Sequence, residues 1–145
     1  MGKNLNRLMF ILSLLGLAMA IYVLQSWLRE SSIICLTGGC ETVRKNPVSW
    51  PFGIPVPAVG LVGYLFLTIL AFLRTAKLSI VREKLLLQLM LGMATFGILF
   101  VSWFTAMEVF VIKGTCTWCA ISAVNMYVIF ALVIRSYILE NKRKV

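Results

Sequence analysis

Four cysteines are the side chains whose type and spacing promise covalent chemistry in this 145-residue sequence, and they fall into two pairs. There is no histidine, so any chemistry must run on other groups. The second pair, Cys116-Thr117-Trp118-Cys119, is a C-x-x-C directly before an apolar run. Cysteines three apart can close a small disulfide loop. At a helix start, free backbone N–H groups and the macrodipole also stabilise a thiolate. A lowered thiol pKa makes a good leaving group and a good partner for exchange. The first pair, Cys35 and Cys40, brackets Leu36-Thr37-Gly38-Gly39. Its two glycines permit tight or unusual backbone, so the segment is expected to bend and reach. A reaching pair beside a membrane-embedded pair has the parts of an electron relay. Three other readings share these residues: a structural disulfide framework with three possible connectivities, a zinc site, and a carrier of soft metals. The metal-binding or metal-carrying membrane protein is the alternative function.

The elements that hold the cysteines follow from charge and hydropathy. The chain is 61% hydrophobic with a net charge of +9. Its charges sit in short clusters between long uncharged runs, which is a membrane pattern and not a nucleic-acid one. A bilayer crossing takes roughly 20 helical residues. Four stretches qualify, at about 8–28, 56–73, 85–107 and 116–134. A backbone in lipid must satisfy its own hydrogen bonds, so these are predicted helices. Gly16 and Ala20 offer a small-x-x-x-small contact on the first, and Gly60 and Gly63 let the second approach a neighbour. Ala18-Met19-Ala20 resembles a signal-peptide cleavage site, but the apolar run continues to Trp27-Leu28 and reads as an uncleaved anchor. The fold class is therefore an all-α, four-transmembrane-helix bundle with an extracytoplasmic, cysteine-bearing cap loop. It is read as one domain over 1–145, without an appended thioredoxin-like domain.

Lys3, Arg7, Arg74, Lys77, Arg82, Lys84, Arg135, Lys142, Arg143 and Lys144 fall on one side of these spans. Arg29, Arg44, Lys45 and Lys113 fall on the other. The excess places both termini and the 74–84 loop in the cytoplasm, in a multi-pass cell-membrane protein. All four cysteines then lie at the outer side, where disulfide chemistry persists.

The order of these parts resembles the vitamin K epoxide reductase family, with its bacterial and archaeal disulfide-forming oxidases. The resemblance runs over helix one, the paired loop cysteines, Cys40-Glu41-Thr42-Val43, Phe52-Gly53-Ile54-Pro55, Gly60-x3-Tyr64, and the C-x-x-C entering the last helix. The DsbB-like quinone-linked oxidases carry their C-x-x-C in the first outer loop and fit less well. The resemblance implies a quinone-dependent thiol oxidoreductase that generates disulfides. Cys119 would face the quinone, Cys116 would exchange with Cys40, and Cys35 would meet a thioredoxin-like (DsbA-like) thiol oxidase. The quinone could be of the ubiquinone, menaquinone or vitamin K type, and no metal is implied. The family often has Ser or Thr where Asn46 stands. The vertebrate enzymes have Asn and Tyr where simple counting puts Val56 and Ala123. Those replacements favour plain quinone reduction over epoxide reduction.

Pro47, Pro51, Pro55 and Pro57 crowd one segment, which should bend before the second span. Trp50 and Phe52 within it fit interfacial anchors, and by the resemblance a flap over the quinone mouth. Tyr64, Trp103, Phe104, Trp118 and Tyr127 suit an apolar pocket between helices as a group, although each alone also suits helix packing. The expected quinone contacts are Tyr64, Trp50, Phe52, Trp118 and Asn46. Glu108 is the only acid near the end of the otherwise uncharged third span. It either reaches the headgroups or takes part in proton transfer.

Overall fold

The computed structural model describes residues 2–76 and 80–143; Lys77 and Lys144, counted for orientation, lie outside them. Helix α1 spans Gly2–Leu28, the short α2 Cys40–Lys45, α3 Val56–Thr75, α4 Ile80–Met107 and α5 Thr117–Lys142. A π-helical turn, Glu108–Ile112, continues α4, and two 3-10 turns, Pro47–Ser49 and Pro51–Gly53, link α2 to α3. No strand occurs among the described residues. Four helices are long and apolar enough to cross a membrane, so the protein is a membrane helical bundle. Three of them overrun the expected spans. α1 starts at Gly2, α4 at Ile80, and α5 continues to Lys142. Hydropathy stops at the first charge, whereas the backbone ladder continues while Lys and Arg stems reach past the apolar zone.

The long helices pack in a ring, with α1 between α3 and α5, and α4 between the same two. Lipid is as apolar as leucine, so burial alone does not hold such a ring. Many large apolar side chains accordingly point outward, such as Ile11, Phe72 and Leu99, while polar groups tie the inside. Asn6 Nδ2 donates to the Ala71 carbonyl at 3.0 Å, joining α1 to α3. Asn125 Nδ2 donates to the Leu12 carbonyl at 3.0 Å, joining α5 to α1. Arg74 pairs with Glu140 at 2.9 Å and donates to Ser136 at 3.0 Å, joining α3 to α5.

Gly16 packs directly on the Tyr64 ring, and a Cβ there would collide with it. Tyr64 cannot easily retreat, because its hydroxyl is bonded to Ser122. Gly16→Ala should therefore cost about 1–3 kcal/mol, the usual range for overpacking. Gly92→Ala is the control, since a Cβ at Gly92 meets nothing within 4 Å. Thermal unfolding in detergent should show a lowered midpoint for the first variant and none for the second. The role expected of Gly60 is different. A Cβ there would also meet nothing within 4 Å, so Gly60 leaves space and does not bring helices together.

Candidate thiol-relay site

The first cysteine pair sits in the cap between α1 and α3. Cys35 lies in an extended segment and is half-buried, while Cys40 opens α2 and is buried. The two are joined in a disulfide, with Cα atoms 6.1 Å apart. Gly38 takes φ +70°, a left-handed turn that glycine adopts without strain. Gly39 lies so close to the Thr115 backbone that no Cβ would fit.

The cap is docked onto the C-x-x-C segment more firmly than the glycines suggested. Thr37 Oγ1 donates to the Thr115 carbonyl at 2.6 Å, and Thr37 N–H donates to Thr117 Oγ1 at 3.2 Å. Trp118 Nε1 donates to the Ile34 carbonyl at 2.8 Å. Cys35 Sγ lies 3.8 Å from Thr117 Oγ1. The glycines therefore allow close approach between the pairs and not free reach.

The second pair holds two free thiols. Cys116 is fully buried and sits at the N-cap position of α5, just before its first helical residue, Thr117. It packs in one buried cluster with Cys40, Val43, Trp27 and Ile112. Its thiol pKa is lowered to about 7, chiefly by the Cys119 thiol, with the backbone N–H groups of Cys119 and Trp118 adding to the effect against the cost of burial. This is the stabilised thiolate expected at a helix start. One helical turn on, Cys119 is half-buried and lines an apolar cleft.

That cleft encloses about 90 Å³ and is open on one side, smaller than the ~300–1,000 Å³ of a typical small-molecule site, so a ring would have to part its walls. Its walls include Met19 and Ala20 of α1, Gly60 and Gly63 of α3, and Phe100 and Phe104 of α4. Polar groups are few. Tyr64 donates its hydroxyl hydrogen to the Ser122 carbonyl at 2.9 Å, lies 3.1 Å from Ser122 Oγ, and accepts from Asn125 Nδ2 at 3.4 Å. Ser122 also lines the cleft. Neither Ser122 nor Asn125 drew notice in the sequence. The signal for Ser122 was its position three after Cys119, close to one helical turn along the same face.

Of the five expected quinone contacts, Tyr64 and Trp118 line this cleft. Asn46, Trp50 and Phe52 are not among its lining residues, each for a local reason. Asn46 Oδ1 accepts from the Val48 N–H at 3.0 Å and caps the first 3-10 turn. Trp50 Nε1 donates to the Arg44 carbonyl at 2.8 Å, and its ring packs on Trp27 with centroids 6.0 Å apart. Phe52 has φ +55° between two prolines and projects fully outward. The proline segment instead reaches the cleft through Val56 and Pro57. Phe104 joins Tyr64 and Trp118 there, whereas Trp103 and Tyr127 are exposed on the helix exteriors, with Tyr127 hydroxyl 2.5 Å from Ser102 Oγ. Ala123 is buried outside the cleft lining. Glu108 does not reach a headgroup position; it is buried, 2% exposed, beside the Cys116/Cys119 pair.

Among the described residues no group of three or more metal-ligating side chains could hold a metal ion. What the arrangement can do is exchange disulfides: a bonded pair in the cap, a free pair beneath it, and an apolar cleft at the far sulfur. A sequence model of the vitamin K epoxide reductase family matches residues 7–134, most of the chain. No curated protein matches it.

Proposed function

Because the chain belongs to the vitamin K epoxide reductase family, and is thereby a membrane thiol oxidoreductase, we propose that it makes disulfides at the expense of a membrane quinone. Electrons pass from a reduced thioredoxin-like (DsbA-like) protein to Cys35/Cys40, then to Cys116/Cys119, then to the quinone. The observation that carries this reading is the shared buried cluster of Cys40 and Cys116, with Cys119 on the cleft beyond. Each step exchanges one dithiol for one disulfide, so the sum is protein dithiol plus quinone giving protein disulfide plus hydroquinone.

The cleft suits a flat apolar ring. Its wall is nearly all aliphatic and aromatic, and the Ser122 hydroxyl, 3.1 Å from Tyr64 Oη, could turn its hydrogen to a carbonyl there. When bound, a quinone supplies a two-electron, two-proton acceptor. The chain's own residues do the rest. Cys116, at the start of α5, holds thiolate character and so attacks and leaves readily. Trp118 fastens the C-x-x-C turn to the cap through the Ile34 carbonyl. Val56 keeps its part of the cleft apolar, which supports quinone reduction over epoxide chemistry. The decisive assay is oxidation of a reduced thioredoxin-like protein by the purified chain, with and without added quinone. Quinone-dependent oxidation is expected, and none over background would refute the relay.

The Lys/Arg asymmetry supports an extracytoplasmic side for the cysteines and a cytoplasmic one for both termini. A reporter active only outside the cytoplasm should work when fused after Lys113 and fail when fused after Lys77. The opposite pattern would make this an inverted protein acting on cytosolic thiols.

A further inference from the structure

Glu108 is a buried acid to which the relay, as described, gives no task. It opens the π-helical turn Glu108–Ile112. Within that turn Val109, Phe110 and Val111 are exposed, while Glu108 and Ile112 point inward. π turns re-aim side chains and gather at functional sites. Here the turn buries the carboxyl beside the Cys116/Cys119 pair, while Oε1 is buried with no hydrogen-bond partner among the described residues. Lys113 ends the turn in left-handed backbone, and the Gly114 N–H returns to the Glu108 carbonyl at 3.1 Å, which fixes the geometry. An acid inside a membrane-spanning helix is costly to place and marks a functional site by default.

Resting on the relay reading, we propose that Glu108 is the proton acceptor of the membrane pair, taking the Cys119 thiol proton as that sulfur gives up its electrons. Two S–H bonds break and one S–S bond forms, and two electrons and two protons end on the hydroquinone. One proton passes from Cys119 by way of Glu108, which finishes as it began. The other leaves Cys116 to water, and water supplies its equivalent to the second quinone oxygen. The ionisable groups acting on Glu108 are the thiols of Cys116 and Cys119. From α2, Cys40 is held in its disulfide, and Glu41 pairs with Arg44 at 2.7 Å. α1 and α3 bring only Val23, Trp27 and Val56 to the cluster around Cys116, and Lys113 is exposed.

The test uses the full chain free of quinone, following the Cys116–Cys119 peptide by mass spectrometry during exchange with dithiothreitol and its oxidised form. Glu108→Gln keeps the shape and the carbonyl acceptor but cannot carry the proton. Both directions should slow together by about 100-fold, the low end for general acid–base catalysis, and Glu108→Asp should recover most of the rate. Unchanged rates in Glu108→Gln, or a shifted ratio of forward to reverse without slowing, would overturn the proposal. Wild-type protein gives an independent check if the Gln variant folds poorly. Its infrared carboxyl signal should change transiently during exchange, while the proton rests on Glu108, and no transient change overturns the proposal. Slowed exchange in Glu108→Gln alongside a wild type that consumes no quinone would support the proton role and refute only the quinone reading.

Discussion

Cys119→Ser is expected to abolish quinone-dependent turnover completely. Cys119 is the one cysteine lining the apolar cleft. Cys116 is fully buried behind it, in the cluster with Cys40. A serine hydroxyl is nearly the same size, so packing survives, but it is neither a thiolate nor a disulfide partner. Cys116→Ser should be equally dead for a different reason, because Cys119 then has no neighbour to complete a disulfide. The two variants separate when the quinone step is bypassed. Cys119→Ser retains Cys116 and should still form a trapped Cys40–Cys116 mixed disulfide, visible as an internal crosslink on a non-reducing gel after digestion. Cys116→Ser should not form it. Substantial quinone turnover in Cys119→Ser would remove this residue from its assigned role.

Most of this architecture was legible from charge and hydropathy alone. A run of lipid-soluble residues has few structural options, so the four helices follow from their length. Their ends did not, because α1 and α5 carry Lys, Arg and Asn well past the apolar window. The two cysteine pairs were equally legible, and the structure bonds the first in the cap and leaves the second free at the start of α5. The cleft was harder. Trp50 and Phe52 sit beside prolines in a segment that suggests a lid, yet a local hydrogen bond to the Arg44 carbonyl holds Trp50 against Trp27. Nothing in the residue types foretells that choice. Ser122 and Asn125 were invisible because serine and asparagine in an apolar helix look alike whether they bond their own backbone or a neighbour's tyrosine. Glu108 was noticed for its charge, but its inward direction depends on the π turn. A regular helical count could not supply that, since the turn inserts residues into the ladder.

The outer pair gives the most demanding test of the relay, because its two cysteines should fail differently. Cys35 is half-buried in the extended cap segment, whereas Cys40 is buried at the start of α2 against Cys116. A protein partner's thiolate attacks the accessible sulfur, and the bond is resolved by the second. Cys40→Ser leaves Cys35 a free thiol, which should attack the disulfide of the oxidised partner, release one partner thiol, and accumulate a Cys35–partner mixed disulfide that no Cys40 can resolve, visible on non-reducing electrophoresis. Cys35→Ser should lose essentially all activity with the protein partner. It should keep a sizeable part of its activity with dithiothreitol, which enters without docking and can reduce the Cys40–Cys116 link. Cys116→Ser and Cys119→Ser should lose both activities. Equal loss of both activities in Cys35→Ser would mean that the cap disulfide works only as an intact unit, docked through Thr37 and Trp118. The inner and outer labels of Cys40 and Cys35 would then have to be given up.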